Sequence, residues 1–172
     1  DNVRMMDEET QLEEILAFKS AGGQTIVDAS TVGLGRDPQL LARAAAKTGL
    51  NVIAGAGFYV EGAQQKETLD MSIEQIEEQI VREIEVEIGI RAVFIGEIGV
   101  SHILFPFEEK SLIGACRAQV RTGAPLMIHI NPWSTQGIKA MDIVKEHGIA
   151  PENIVICHSD VENREDYIFR LL

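Results

Sequence analysis

Val93-Phe94-Ile95-Gly96-Glu97-Ile98-Gly99-Val100 is an apolar run carrying a single carboxylate, and its reading decides the fold. Bounded by Ile90-Arg91-Ala92 before it and by a loop around Ser101 and Pro106 after it, the run predicts a buried parallel strand. A strand covered on both faces loses its polar alternation. A lone carboxylate near the C-terminal end of such a strand is costly unless a cation or several hydrogen bonds meet it. Two later runs finish in a similar way: Pro125-Leu126-Met127-Ile128-His129 and Ile154-Val155-Ile156-Cys157-His158. Three consecutive strand ends thus carry Glu, His and His, all side chains that ligate metals.

Outward from these strands the chain alternates. Asp7 caps a helix with Leu12, Ile15, Leu16 and Lys19 at helical spacing, ended by Gly22-Gly23. Thr25 to Ser30 reads as a strand, and Thr31 to Asp37 as a loop. Asp37-Pro38 opens a helix that stops at Thr48-Gly49. Asn51 to Tyr59 gives the second strand and its loop. A Ser72 cap starts a long helix with Ile73, Ile76, Ile80 and Ile84 inward and Glu74, Glu77, Glu78, Glu83 and Glu85 toward solvent, closed by Gly89. Further helices are predicted from Glu108 to Arg121, with Leu112, Ile113, Cys116 and Val120 on one face, from Thr135 to His147, and from Tyr167 onward. Units recur roughly every 30 residues, the size of a strand, a crossover helix and two loops.

Such alternation leaves an open doubly wound sheet or a (β/α)8 barrel. A dinucleotide-binding open sheet would show G-x-G-x-x-G after its first strand, whereas Gly33-Leu34-Gly35-Arg36 and Gly55-Ala56-Gly57 each lack the third glycine. Polar groups at the C-terminal ends of successive strands are what a barrel active site requires, and Asp28, Glu97, His129 and His158 meet that description. The predicted fold is α/β, a partial (β/α)8 TIM barrel: a complete one usually needs about 250 residues, and this chain has 172.

Composition bounds the function. The length suits one domain spanning 1–172. A net charge of −12 disfavours nucleic acid and anionic membrane surfaces as partners and leaves a small-molecule substrate. Cys116 and Cys157 are too few for a disulfide framework, which points to a reducing, cytoplasmic setting. No apolar run approaches the ~18 residues of a membrane span. The start lacks an initiator Met and the end falls in mid-pattern, so the chain is expected to be a piece of something longer. Half a barrel would expose two strand edges and an apolar interior, which predicts association of copies into a homo-oligomer or aggregate.

Ile26-Val27-Asp28-Ala29-Ser30-Thr31-Val32-Gly33-Leu34-Gly35-Arg36-Asp37-Pro38, followed by Thr48-Gly49-Leu50-Asn51-Val52-Ile53-Ala54-Gly55-Ala56-Gly57-Phe58-Tyr59, resembles the phosphotriesterase family of the amidohydrolase superfamily. Phe94 to Gly99, Met127-Ile128-His129 and Cys157-His158-Ser159-Asp160 are similar to the family's fourth, fifth and sixth strand ends. The resemblance implies a binuclear centre of two divalent metal ions, usually zinc, at the barrel mouth. By motif position Glu97 would bridge the metals, and His129 and His158 would bind the second. Glutamate at the bridging place fits the phosphotriesterase-related branch. The family's His-x-His pair on strand one would precede Asp1 and its strand-eight Asp would follow Leu172, so the chain looks like strands 2 to 6. The implied activity is hydrolysis of an ester, lactone, amide or phosphotriester bond by a metal-bridging hydroxide. Tyr59 stands where a substrate loop begins and is expected to touch a ligand. Asp160 is expected to orient a metal ligand.

Blander roles cover the rest. Asp28 braces loops; Arg36 and Asp37 form an ion pair or helix cap; Trp133 is a loop anchor or a pocket wall; Cys157 packs; His102 and His147 have no assigned role. Two competing functions remain at this point. One is a TatD-like metal-dependent deoxyribonuclease, against which stand Val100-Ser101, Gly35-Arg36-Asp37-Pro38 and the net charge. The other is a non-catalytic truncated product.

Overall fold

The computed structural model describes residues 7–85, 90–161 and 164–171. Its elements follow the predicted alternation: α1 (Glu8–Ser20), β1 (Thr25–Asp28), α2 (Pro38–Thr48), β2 (Asn51–Ala56), α3 (Lys66–Leu69), α4 (Ile73–Glu85), β3 (Phe94–Val100), α5 (Pro106–Thr122), β4 (Leu126–Ile130), α6 (Gln136–Glu146), β5 (Ile154–Cys157) and α7 (Glu165–Leu171). The five strands form one parallel sheet in the order β1-β2-β3-β4-β5. A doubly wound sheet would reverse its strand order at a switch point. Sequential order with right-handed crossovers instead puts every helix on one face, so the sheet is a half-barrel.

The helix starts follow the sequence signals. Asp7 Oδ2 accepts from Thr10 N at 3.1 Å and Asp37 Oδ1 from Leu40 N at 3.0 Å. Ser72 and Gln75 form a reciprocal capping box at α4. The predicted Gly89 stop lies outside the described residues.

β2 ends at Ala56, inside the stretch read as the second strand and its loop, and a 3-10 turn (Glu61–Ala63) and α3 fill the connection to α4. Two expectations are corrected. Val120 points outward, 61% exposed, because α5 turns Ser111, Leu112, Ala115, Ala118 and Gln119 to the core. Glu77 and Glu83 are not on the solvent side. Glu77 lies 2.7 Å from Arg121 between α4 and α5, and Glu83 lies 3.5 Å from Arg36, whose Nε donates to Gly55 O. The ion pair expected of Arg36 thus joins it to Glu83, while Asp37 caps α2.

The core sits between the sheet and the helices. Ile98 and Val100 of β3 and Leu126, Ile128 and Ile130 of β4 face Ile76, Ile80, Leu112 and Ala115 and are buried. Their alternates Glu97, Met127 and His129 face the barrel interior. Val27 of β1 and Val155 of β5 are about half exposed, at 52% and 48%. Among the described residues no helix is long and apolar enough to cross a membrane.

Candidate metal centre

Glu97 reaches the interior through a break in strand regularity. Ile95 pairs with Leu126 but Ile98 pairs with Ile128, so three steps of β3 oppose two of β4. This bulge puts both isoleucines on the helix face and frees Glu97 to point the other way. Gly96 makes it possible: its φ is 142°, and a Cβ there would meet Met127 O at 2.5 Å. The Glu97 backbone is fixed from the loop after β1, its N–H donating to Ala29 O at 3.2 Å and its carbonyl accepting from the Thr31 hydroxyl at 3.1 Å.

His129, on β4, sits opposite Gly99, and β5 places Cys157 beside it. His158 follows β5 directly with φ 62°, a left-handed conformation uncommon for a residue with a side chain and concentrated at functional sites. That turn directs its Nε2 to 3.7 Å from Glu97 Oε1, while its ring meets His129 edge-on. One ligand atom each from Glu97, His129 and His158 lies within 4.8 Å of the others.

His129 Nδ1 faces Glu97 Oε1, yet it is buried and makes no hydrogen bond. Two imidazole nitrogens converging on a carboxylate oxygen, one of them a buried nitrogen left without a hydrogen bond, fit a divalent cation between them. The other ring nitrogen of His129, Nε2, lies 3.3 Å from Tyr59 Oη.

The surrounding groups stay neutral. Burial, and then the Glu97 charge, raises the Tyr59 phenol above its ordinary value. The same two causes push the Cys157 thiol up to about 11, so it is a packed thiol beside the site. The structure brings Glu97, His129, His158 and Tyr59 together. Asp160 is exposed on the turn after β5, and among the described residues no hydrogen bond joins it to that group. Asp28 braces its own loop by accepting from Ser30 N at 3.0 Å. Trp133 is 70% exposed on the loop after β4. Nδ1 of His147 bonds Ile143 O at the end of α6, and His102 packs on Phe105.

The model of the Phosphotriesterase family matches residues 4–172. The chain belongs to the phosphotriesterase family. Within it, the chain is 37% identical over 160 residues to the N-acetyltaurine hydrolase of Homo sapiens, covering 90% of this chain and 46% of that protein. Among solved structures it resembles a resiniferatoxin-binding protein from Rhodobacter sphaeroides at 39% identity and TM-score 0.84, over 90% of this chain and 44% of the other. It also resembles the phosphotriesterase homology protein of Escherichia coli, solved with phosphate in its active site, at 25% identity and TM-score 0.89, over 98% of this chain and 59% of that one. The chain spans about half the length of the curated relatives it matches. Membership of this family sets aside the deoxyribonuclease reading.

Sequence reasoning missed Glu108, which is fully buried at the start of α5. An acid three residues into a helix is an ordinary capping signal, and nothing in the local sequence shows how many donors it gathers.

Proposed function

We propose that this chain contributes the core of a metal-dependent hydrolase site acting on a small molecule, with an amide bond as the leading substrate and ester, lactone and phosphotriester bonds as related ones. The observation that carries the reading is the convergence of Glu97, His129 and His158 around a buried ring nitrogen that lacks a hydrogen bond. Its amide preference draws on the relatives named N-acetyltaurine hydrolase.

Glu97, His129 and His158 would hold the divalent metal centre. Zinc is the metal we favour, since imidazole and carboxylate suit it. The chemistry a divalent cation would supply, when bound, is polarisation of a carbonyl or phosphoryl oxygen and a water whose pKa is lowered toward about 7.

The chain's own residues do the rest. Glu97 offsets the cation charge and, being pinned through both its N–H and its C=O, holds its carboxylate in one place. His129 Nε2–H donates to the Tyr59 oxygen, an outer contact that fixes the ring orientation and leaves Nδ1 as the ligand atom. Tyr59 keeps its proton at neutral pH and so presents an O–H to a substrate oxygen. Met127 and Val155, paired across β4 and β5, add apolar side chains to the sheet below.

The test is hydrolysis by the metal-replete protein of a panel containing N-acetyltaurine, N-acetyl amino acids, a lactone, an aryl ester and a phosphotriester. Amide cleavage that disappears on chelation and returns with Zn²⁺ is expected. Cleavage indifferent to chelation contradicts the reading.

A further inference from the structure

Glu108 lies 11 positions past Glu97 and touches none of the three converging side chains, yet it is completely buried, and among the described residues no ion pair joins it to a cation. Four donors meet its carboxylate instead. Oε1 accepts from Glu61 N at 3.0 Å and from Ser101 Oγ at 2.6 Å; Oε2 accepts from Ser101 N at 3.0 Å and Phe105 N at 3.3 Å. Every lone-pair position of the group is used, which is what a buried carboxylate requires.

The donors belong to two segments that bear on the site. Glu61 is two residues past Tyr59, and Ser101 follows the last residue of β3, the Glu97 strand. The contact is reciprocal, because Glu61 Oε2 accepts from Phe107 N at 2.9 Å. A third fastening follows one turn on: Lys110 Nζ donates to Leu69 O at 2.9 Å and Met71 O at 2.7 Å. The 59–71 connection is therefore bolted to the first turns of α5 along its length. Beneath it there is no slack, since a Cβ on Gly99 would meet Val60 N at 2.2 Å and Tyr59 C at 2.5 Å.

We infer that Glu108 is a positioning residue for the metal centre: by joining Glu61 to Ser101 it holds the Tyr59 hydroxyl against His129 Nε2, and so sets His129 as a ligand. The Tyr59 to His129 contact of 3.3 Å spans β2 to β4 over the end of β3, and no other described contact fixes the Tyr59 oxygen. The inference rests on the metal-site reading of Glu97, His129 and His158. Glutamine cannot replace Glu108: its amide nitrogen would face a backbone N–H whichever way it turned.

The experiment is an absorption titration of the metal-stripped protein with Co²⁺, comparing wild type, Glu108→Gln, Tyr59→Phe and the double variant. Outer partners of metal-binding histidines typically change affinity by about 10- to 100-fold. Glu108→Gln is expected to weaken Co²⁺ by about tenfold and to alter the band shape, as Tyr59→Phe does, with the double variant no weaker than Tyr59→Phe alone. If wild type and Glu108→Gln bind Co²⁺ alike, or if the two losses multiply, Glu108 acts on the fold and not through Tyr59, and the inference is overturned while the metal site stands. If wild type takes up no Co²⁺ at all, the metal reading falls and the inference with it. Should Glu108→Gln fail to fold, Ser101→Ala, which removes only the 2.6 Å donor, decides by the same cycle.

Discussion

Tyr59 Oη lies 3.3 Å from His129 Nε2, with the two rings 5.0 Å apart. The phenol therefore sits behind the imidazole rather than beside the Glu97 carboxylate. In the proposed site that place would let it orient the ring and offer a hydroxyl to a bound substrate.

Replacing Gly99 tests how tightly the Tyr59 segment is seated. Gly99→Ala forces a methyl group into the Tyr59-Val60 backbone, which cannot yield as a flexible side chain would. Such overpacking costs about 3 kcal/mol. A lowered urea midpoint together with weakened metal binding is the expected result. A midpoint equal to wild type would show that the loop moves freely.

Arg36 and Glu83 bind the loop after β1 to α4, with side chains only 13% and 20% exposed. Arg36→Ala removes the donor to Gly55 O and strands a mostly buried carboxylate. Removing one partner of a fully buried pair costs 3–5 kcal/mol, and partial solvent access here reduces that to about 2 kcal/mol. Arg43→Ala, which removes a partner of Glu8 where both side chains are at least a third exposed, should leave the denaturation midpoint where it was. Chemical denaturation of both variants checks the contrast.

Stability should fall at alkaline pH. Burial pushes the Cys116 thiol up to about 12 and the Cys157 thiol up to about 11, above the ordinary thiol range. Between the unfolded and folded values the unfolded chain has lost protons that the folded chain still holds, so unfolding gains ground as pH rises. The full contribution is present below about pH 8 and declines from about pH 9 upward. Urea midpoints measured across that range should drop, and Cys116→Ala should shallow the slope even though it lowers the plateau. Thiol alkylation of native protein should likewise stay slow at neutral pH.

The fold was legible because the buried central strands read as apolar runs and the helices α1, α2 and α4 carry their own caps, at Asp7, Asp37 and Ser72. Glu97, His129 and His158 stood out for one reason: each is a solitary polar group at or near the C-terminal end of an apolar run. What was not legible depends on partners distant in sequence. Gly96-Glu97 reads as plain strand, and only the register against β4 reveals the bulge that aims the carboxylate. Glu108 gathers a donor 47 positions away at Glu61, and Arg36 meets Glu83 across a similar gap. The outward turn of Val120 follows from α5 packing its small residues against the sheet, a choice that helical periodicity alone leaves open by one position.

The most direct test of the central claim is elemental analysis of the purified protein beside its Glu97→Gln variant, with circular dichroism to show that both are folded. Wild type should carry bound divalent metal, zinc foremost, at one or more equivalents, and the variant should lose most of it with its spectrum unchanged. Equal metal in both, or none in a folded wild type, would mean that Glu97, His129 and His158 meet for structural reasons only.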